Sequence, residues 1–325
     1  MTEQRLDAWL LSDGHAGNVR QVQALAQALG WPAQEWIVRA RAPWRWLAPR
    51  QVPGAELAFG DAFTHALARR DLRHVVAIGC GRQAALATRL LRARRARAVQ
   101  ILDPRIDPRH WDLVIAPEHD GLRGGNVLTL QGSLHPVDDD WLDQARRAFP
   151  AFGELPGPRT ALLLGGNSAH ARLDTGVFAT LAQQVRDAVQ AERGSLLATV
   201  SRRTPADAVQ VAHAALAPLP GVFWRGPQDG DNPYAGLLGW ADRIVCTADS
   251  VNLLSEAAAT RASLFIAGSE RVEGRPRRFV EGLLASGRAR RFPKDWDTVA
   301  AHAAMAPLRE TARVAALVLE RLGLD

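Results

Sequence analysis

Cysteine is scarce: Cys80 and Cys246 are the only two in 325 residues. Both fall in or beside apolar strand segments. That argues against a disulfide framework and against a cysteine-based metal motif, and it reads as buried thiols of a reducing cytoplasm. Long apolar runs are missing too. None approaches ~20 residues, so no membrane-spanning helix is expected. Residues 1–5 are polar and run straight into a strand pattern, so no secretory signal is expected. Zinc-finger spacing and aromatic–glycine RNA-binding signatures are absent, so no nucleic-acid partner is expected. Lysine and tyrosine are nearly absent: Lys294 and Tyr234 stand alone and far apart.

Arginine is abundant. The formal net charge is +6 and nearly all positive charge is guanidinium. A basic surface of this kind suits nucleotides or anionic lipid. With 47% hydrophobic residues, the chain is long enough for two α/β domains.

Residues 240–266 give the clearest local pattern. Arg243 to Cys246 carry a short apolar run, as a buried parallel strand does. Thr247, Asp249 and Ser250 are small and polar, and sit where a helix begins; Asp249 or Ser250 is the candidate N-cap. Leu253, Leu254, Ala257 and Ala258 repeat at helical spacing, and Leu264 to Ile266 form the next strand. Polar groups at a strand's carboxyl end, before a helix N-terminus, suit an anion such as phosphate. Glu256, one to two turns into the helix, is placed to reach a sugar hydroxyl. The same residues also read as ordinary caps and a solvated helix face.

The first half repeats strand, polar turn and helix. Leu6 to Leu11 is a strand followed by Ser12-Asp-Gly-His-Ala-Gly-Asn18, with Asp13, His15 and Asn18 ringing a turn opened by Gly14 and Gly17. A ligand-free tight turn accounts for this stretch equally well. His74 to Ile78 is a strand ending in Gly79-Cys-Gly-Arg82, where Gly81 meets a helix start and Arg82 is placed to meet an anion. Later strands close on Asp103 and on Pro117-Glu-His-Asp120. His119 beside Asp120 is the leading general-base candidate, because imidazole titrates near neutrality and a carboxylate can fix its tautomer. Between residues 39 and 50 lie two tryptophans, four arginines and two prolines. Trp44 and Trp46 there suit a membrane–water interface, or else a loop covering the core edge.

Residues 141–158, rich in proline and glycine, read as a linker. The pattern then restarts. Gly165, Gly166, Asn167 and Ser168 form a turn that could cradle phosphate. Ser201, Arg202 and Arg203 follow the next strand, and arginine forks suit a diphosphate. The remainder past residue 276 reads as helical.

These motifs together resemble the mitochondrial-fission family named for elongated mitochondria, within the GT-B architecture of nucleotide-sugar glycosyltransferases. The matching stretches include Asp13 to Asn18 with Gln21, Gly79 to Arg82, Gln100 to Pro104, Pro117 to Asp120, Gly165 to Ser168, Ser201 to Pro205, Asn232-Pro-Tyr234, and Thr247 to Asn252 with Ser255-Glu-Ala257. The chain departs at Thr260-Arg-Ala-Ser263, where the family carries a Thr-Gly-Lys-Pro turn. The resemblance implies an α/β fold of two Rossmann-like domains facing a cleft. Residues 1–140 form the acceptor domain, 159–306 the nucleotide-sugar domain, and 307–325 a C-terminal helix able to cross to the first domain.

The function implied is metal-independent glycosyl transfer from a nucleotide-sugar substrate, with no tightly bound cofactor. Gly165, Gly166, Asn167, Ser168, Ser201, Arg202, Arg203, Thr247, Asp249, Ser250 and Glu256 would hold the donor. Asp13, His15 or His119 would deprotonate the acceptor, in a first-domain cleft lined by Gly14, Gly17, Asn18, Gly79, Gly81, Arg82 and Asp103. Contact of the Trp44/Trp46 loop with an anionic membrane would bring in a lipid-linked acceptor. That corresponds to a cytoplasmic protein, peripheral on the inner face of the membrane. The rivals are a non-catalytic membrane-associated adaptor and a UDP-sugar epimerase working without NAD. A NAD-dependent epimerase lacks support, because G-x-G-x-x-G and the Tyr-x-x-x-Lys pair are both missing.

Overall fold

A computed structural model describes residues 6–68, 71–296 and 306–324. The helical reading of 297–305 and the extreme ends of the outer domain ranges lie outside the described residues. The chain divides into two units, Met1–Pro136 with Glu310–Asp325, and Val137–Arg309.

The first unit is built on β1 (Asp7–Ser12), β2 (Ala33–Ile37), β3 (Val75–Cys80), β4 (Arg97–Ile101), β5 (Leu113–Pro117) and β6 (Val127–Leu130). They form one sheet in the order β2-β1-β3-β4-β5-β6, with every pairing parallel. Every residue of β3 is buried, because helices cover both faces. Val76 and Ile78 face one core with Val22 and Leu25 of α1 (Ala16–Leu29). Val75 and Ala77 face the other, with Phe63 of α3 (Asp61–Leu67) and Leu90 of α4 (Arg82–Arg92). Four residues, Trp44–Leu47, form the short helix α2, none of them buried.

The second unit begins with α5 (Asp139–Ala148). Its strands are β7 (Arg159–Leu164), β8 (Ser195–Val200), β9 (Gly221–Trp224), β10 (Arg243–Thr247), β11 (Ser263–Ala267) and β12 (Ala289–Arg291). They form a second sheet in the order β12-β11-β10-β7-β8-β9, again parallel throughout. Helices α6 (Thr175–Ala191) and α7 (Ala206–Leu216) supply the core on one face, through Phe178, Val185 and Ala212. On the other face lie α8 (Tyr234–Trp240), α9 (Val251–Ala258) and α10 (Gly274–Ala285), through Leu237, Leu254 and Val280.

Residues 141–158 are no linker. In α5, Leu142 and Ala145 are buried, Asp138 caps the helix by accepting from the Trp141 amide at 2.7 Å, and Arg146 donates to the Gly239 carbonyl at 2.8 Å. The glycine that suggested looseness permits close packing: a Cβ on Gly153 would stand 2.5 Å from the Trp240 ring. Past residue 276 the chain is not all helix either, since β12 extends the sheet beside β11. The last helix, α11 (Thr311–Leu322), packs into the first unit through Val314 and Val318.

Candidate functional site

In each sheet the chain reverses its direction of travel once. The reversal lies between β1 and β3 in the first unit and between β7 and β10 in the second. At such a point the loops leaving neighbouring strands run to opposite faces and open a crevice at the carboxyl edge, where open α/β sheets bind ligands. Four of the turns singled out in the sequence border these two points, those after β1, β3, β7 and β10, whereas Asp103, His119 and Ser201 to Arg203 follow β4, β5 and β8.

In the second unit these turns are tied tightly together. Thr247 Oγ1 donates to Asp249 Oδ1 at 2.6 Å and accepts from the Gly165 amide at 2.8 Å. Asp249 Oδ2 accepts from the Gly166 amide at 2.9 Å and from Arg203 Nη2 at 2.8 Å. The Asp249 side chain is fully buried. Gly165 and Gly166 are buried as well. A Cβ on Gly165 would lie 2.1 Å from Asp249 Oδ1, and one on Gly166 would lie 2.1 Å from the Arg203 carbonyl oxygen. The glycines are therefore required by chain against chain, and they do not line an open cradle. Thr204 Oγ1 closes the same knot on the Gly165 carbonyl at 2.5 Å.

Neighbouring candidates serve the turn. Ser201 Oγ accepts from the Arg203 amide at 3.1 Å. Asn167 Oδ1 accepts from the Leu173 amide at 2.7 Å, and Ser168 Oγ from the His170 amide at 3.2 Å. Of the paired arginines, Arg203 is engaged by Asp249 and by the Asn167 carbonyl. Arg202 is exposed, and no ion pair or hydrogen bond from it is found among the described residues. Ser250 is the N-cap of α9, accepting from the Leu253 amide at 3.4 Å. Glu256 is not the solvated helix residue that its sequence position also allowed: it is buried and accepts from the hydroxyl of Tyr234 at 2.5 Å. The divergent 260–263 turn is held from below by buried Arg288, which donates to the Ala258 and Thr260 carbonyls at 2.8 and 2.7 Å. Burial draws the Arg288 guanidinium down to about 10.

The first unit's turns are more open. His15 Nδ1 lies 2.9 Å from Asp13 Oδ1, and the imidazole is 79% exposed. Asn18 Nδ2 and the His15 amide also donate to Asp13 Oδ1, at 3.0 and 3.1 Å. Burial alone would raise the Asp13 carboxyl, but the bonds from Asn18 and His15 outweigh it and hold the group below its ordinary value. Cys80 Sγ donates to Asn18 Oδ1 at 3.4 Å, and burial pushes that thiol far up. Gly81, with φ +90°, brings the start of α4 so close that a Cβ would stand 2.8 Å from Asn18 Nδ2. Gly14 also has positive φ. Gly17 lies in the first turn of α1 and its carbonyl accepts from Gln21. Gly79 is a packing position, its missing Cβ facing Thr88.

Arg82 does not wait for an anion. Its guanidinium donates to the Arg45, Trp46 and Ala48 carbonyls at 2.9–3.4 Å and so ties down the tryptophan loop. Gln83 and Arg89 help, bonding the Ala40 amide and the Pro49 carbonyl at 2.6 Å each. Within that loop the tryptophans part ways. Trp44 packs on the core and donates to the Pro53 carbonyl at 3.4 Å. Trp46 is 63% exposed with the Arg45 guanidinium 4.9 Å from its ring centre. Asp103 turns back on its own loop, accepting from the Arg105 amide at 2.8 Å. His119 and Asp120 sit in the turn after β5. That strand end lies roughly 14 Å from the end of β1, at ~4.8 Å per strand, so His119 does not join the Asp13–His15 pair by way of the sheet.

The roles of Thr204, Gln83 and Arg288 escape motif reading, because each acts through bonds to distant backbone. Tyr234 left one usable signal, as the chain's only tyrosine. Among the described residues no cluster of three or more His, Cys, Asp or Glu is arranged to hold a metal, and no helix is long and apolar enough to cross a membrane.

Two parallel six-stranded sheets, each flanked by helices, make this an α/β protein of the GT-B class. The same fold occurs in UDP-GlcNAc 2-epimerase from Methanocaldococcus jannaschii (TM-score 0.60, 9% identity, 97% of this chain and 99% of that one). It occurs also in MurG from Acinetobacter baumannii (TM-score 0.52, 14% identity, 97% and 99%). At such identities the likeness extends to fold alone. By sequence, the chain belongs to the mitochondrial fission ELM1 family, whose family model matches residues 16–322. The mitochondrial fission protein ELM1 of Arabidopsis thaliana is 30% identical over 279 residues, covering 76% of this chain and 64% of that relative's length.

Proposed function

We propose that the protein is a nucleotide-sugar-dependent glycosyltransferase whose second unit binds the donor. The observation that carries this is the second switch point: a rigid, internally neutralised turn beside the N-terminus of α9, with the Arg202 guanidinium free. Such a turn gives a fixed backbone shape, the helix start favours a phosphate, and Arg202 adds the one uncommitted charge of the pair. Arg203, Asp249 and Thr247 then act as positioning residues. Glu256 meets the ribose only by exchanging or sharing its bond with Tyr234. Stabilising a departing nucleoside diphosphate without metal is electrostatic work.

On the first unit the Asp13–His15 pair is the better base. Asp13 takes the Nδ1–H, which leaves Nε2 as the acceptor. The acceptor hydroxyl gives its proton to Nε2 as its oxygen bonds the anomeric carbon. The carbon–oxygen bond to the diphosphate breaks, and its electron pair leaves on phosphate. Exposed Trp46, Leu47, Leu57 and Ile37, with exposed Arg39, Arg41, Arg45 and Arg50 around them, favour an anionic membrane surface and hence a lipid-linked acceptor.

A thermal-shift screen against UDP, GDP, ADP, CMP and dTDP tests the donor site, since a ligand of the folded state raises the melting temperature. One nucleotide should stabilise the wild type and not Arg202→Ala. No response to any nucleotide would replace the enzyme with the adaptor, which shares the family and the fold but needs no donor. Co-sedimentation with anionic vesicles then separates Trp46→Ala, which should lose binding, from Trp44→Ala, which should lose stability.

A further inference from the structure

The first unit carries a concavity that the reading above does not use. It lies at the amino edge of the sheet, opposite the Asp13–His15 turn. Its walls are the end of α4, the starts of β4, β5 and β6, and the end of α11. Its volume is about 790 Å³, within the range of small-molecule sites. Five arginines line it, Arg92, Arg95, Arg97, Arg109 and Arg321, against one carboxylate, Asp112.

The charge balance is lopsided. Asp112 is used by Arg92 at 2.9 Å and by the Ala98 amide at 2.7 Å. Arg109 is paired with Asp107 at 2.6 Å. Among the described residues the Arg321 side chain reaches only a backbone oxygen, of Gly125, at 3.1 Å. The side chains of Arg95 and Arg97 make no ion pair or hydrogen bond among the described residues. Burial, and then Arg89, Arg92 and Arg109 against the opposing pull of Asp107, hold the nearby His110 imidazole below its ordinary value, as a positive field does.

Helix macrodipoles explain part of this. Arg92 and Arg321 sit in last turns, where cations are favoured. They do not explain Arg97, on a strand, or Arg95. Arg95 has φ +73°, just beyond α4, where the Ala96 amide closes on the Leu91 carbonyl at 3.2 Å. Glycine is the residue for that left-handed position. An arginine there strains the backbone and puts a guanidinium at the cavity wall.

We propose that this cavity binds ligands with clustered phosphate groups, at a site separate from the carboxyl-edge turns. Calorimetric titration of the full chain with pyrophosphate and with inositol hexakisphosphate tests it. Binding should weaken as salt rises and should fall at least about tenfold in R95G/R97Q, with two charge-assisted bonds removed. R95G alone should keep or raise the melting temperature while weakening binding, which separates lost charge from lost fold. Arg202→Ala should leave the R95G/R97Q-sensitive part of the inositol hexakisphosphate titration unchanged, whatever it does to pyrophosphate at the donor turn, so the site stands or falls independently of the donor reading. Vesicles carrying phosphorylated inositol lipids supply the second arm. Competition by them makes a lipid headgroup the source of the phosphates, and no competition makes it a free phosphate ester. Absence of heat with both soluble probes, or equal affinity in R95G/R97Q, would overturn the proposal.

Discussion

The two carboxyl-edge turns occupy equivalent places in their sheets and are built in opposite ways. After β1, the ionisable groups stand at the surface: His15 is open to solvent and its carboxylate partner is reached by side chains of its own turn. After β7 and β10, the carboxylate is sealed, its oxygens shared among a hydroxyl, an amide and a guanidinium from three separate loops. The first arrangement can exchange a proton with a ligand at little structural cost. The second cannot change its charge without loosening three loops. It supplies shape and oriented dipoles, which suits holding a diphosphate, while the first suits handling a hydroxyl.

Asp249→Ala should break this contrast most severely. It removes the acceptor from Arg203, Gly166 and Thr247 at once, and breaking a buried pair costs about 3–5 kcal/mol. The melting transition of the second unit should fall by roughly 10 °C. Asp13→Ala, at the corresponding place, should cost about 1 kcal/mol and lower the melting temperature by only about 3 °C. Equal losses in the two variants would mean that the second turn is no more rigid than the first.

A smaller effect separates the two glycine turns. In Gly166→Ala the new methyl meets a backbone oxygen, that of Arg203, which cannot swing away, and about 2–3 kcal/mol is lost. In Gly14→Ala the nearest atom is the mobile tip of Arg39, at 3.2 Å. The cost there is the positive φ, about 1 kcal/mol. Chemical denaturation of both variants gives the comparison; a larger loss for Gly14→Ala would contradict it.

These differences mark where the sequence was readable. Apolar runs such as Val75–Cys80, bounded by glycine and small polar residues, fix strand and turn by local chemistry, so the parallel α/β fold and the four switch-point turns follow from the chain alone. The partners of those turns do not. Nothing near Arg82 says that it will bond three carbonyls some 35 residues earlier and not an anion. Nothing near Gly165 says that its space belongs to Asp249, more than 80 residues later. Residues 141–158 misled for a related reason: glycine and proline mark both loose chain and chain packed tightly against an aromatic ring, and only the distant Trp240 decides between them.

The finest test concerns the proton at the open turn. Asn18 is one of the groups that hold Asp13 below its ordinary value, so Asn18→Ala should move the carboxyl's titration upward, read by carbon NMR of its side chain. The stability effect has a fixed sign. A carboxyl depressed on folding contributes stability that is present above its unfolded value of about 3.9, and that contribution is lost as pH falls through the lower folded value. The gap in unfolding free energy between wild type and Asn18→Ala should therefore be full at neutral pH and narrow below about pH 4. Its remainder at acid pH is the pH-independent loss of the Cys80 contact. A gap that stays constant from neutral to acid pH would assign Asn18 to packing alone and would leave the ionised Asp13 to the His15 bonds.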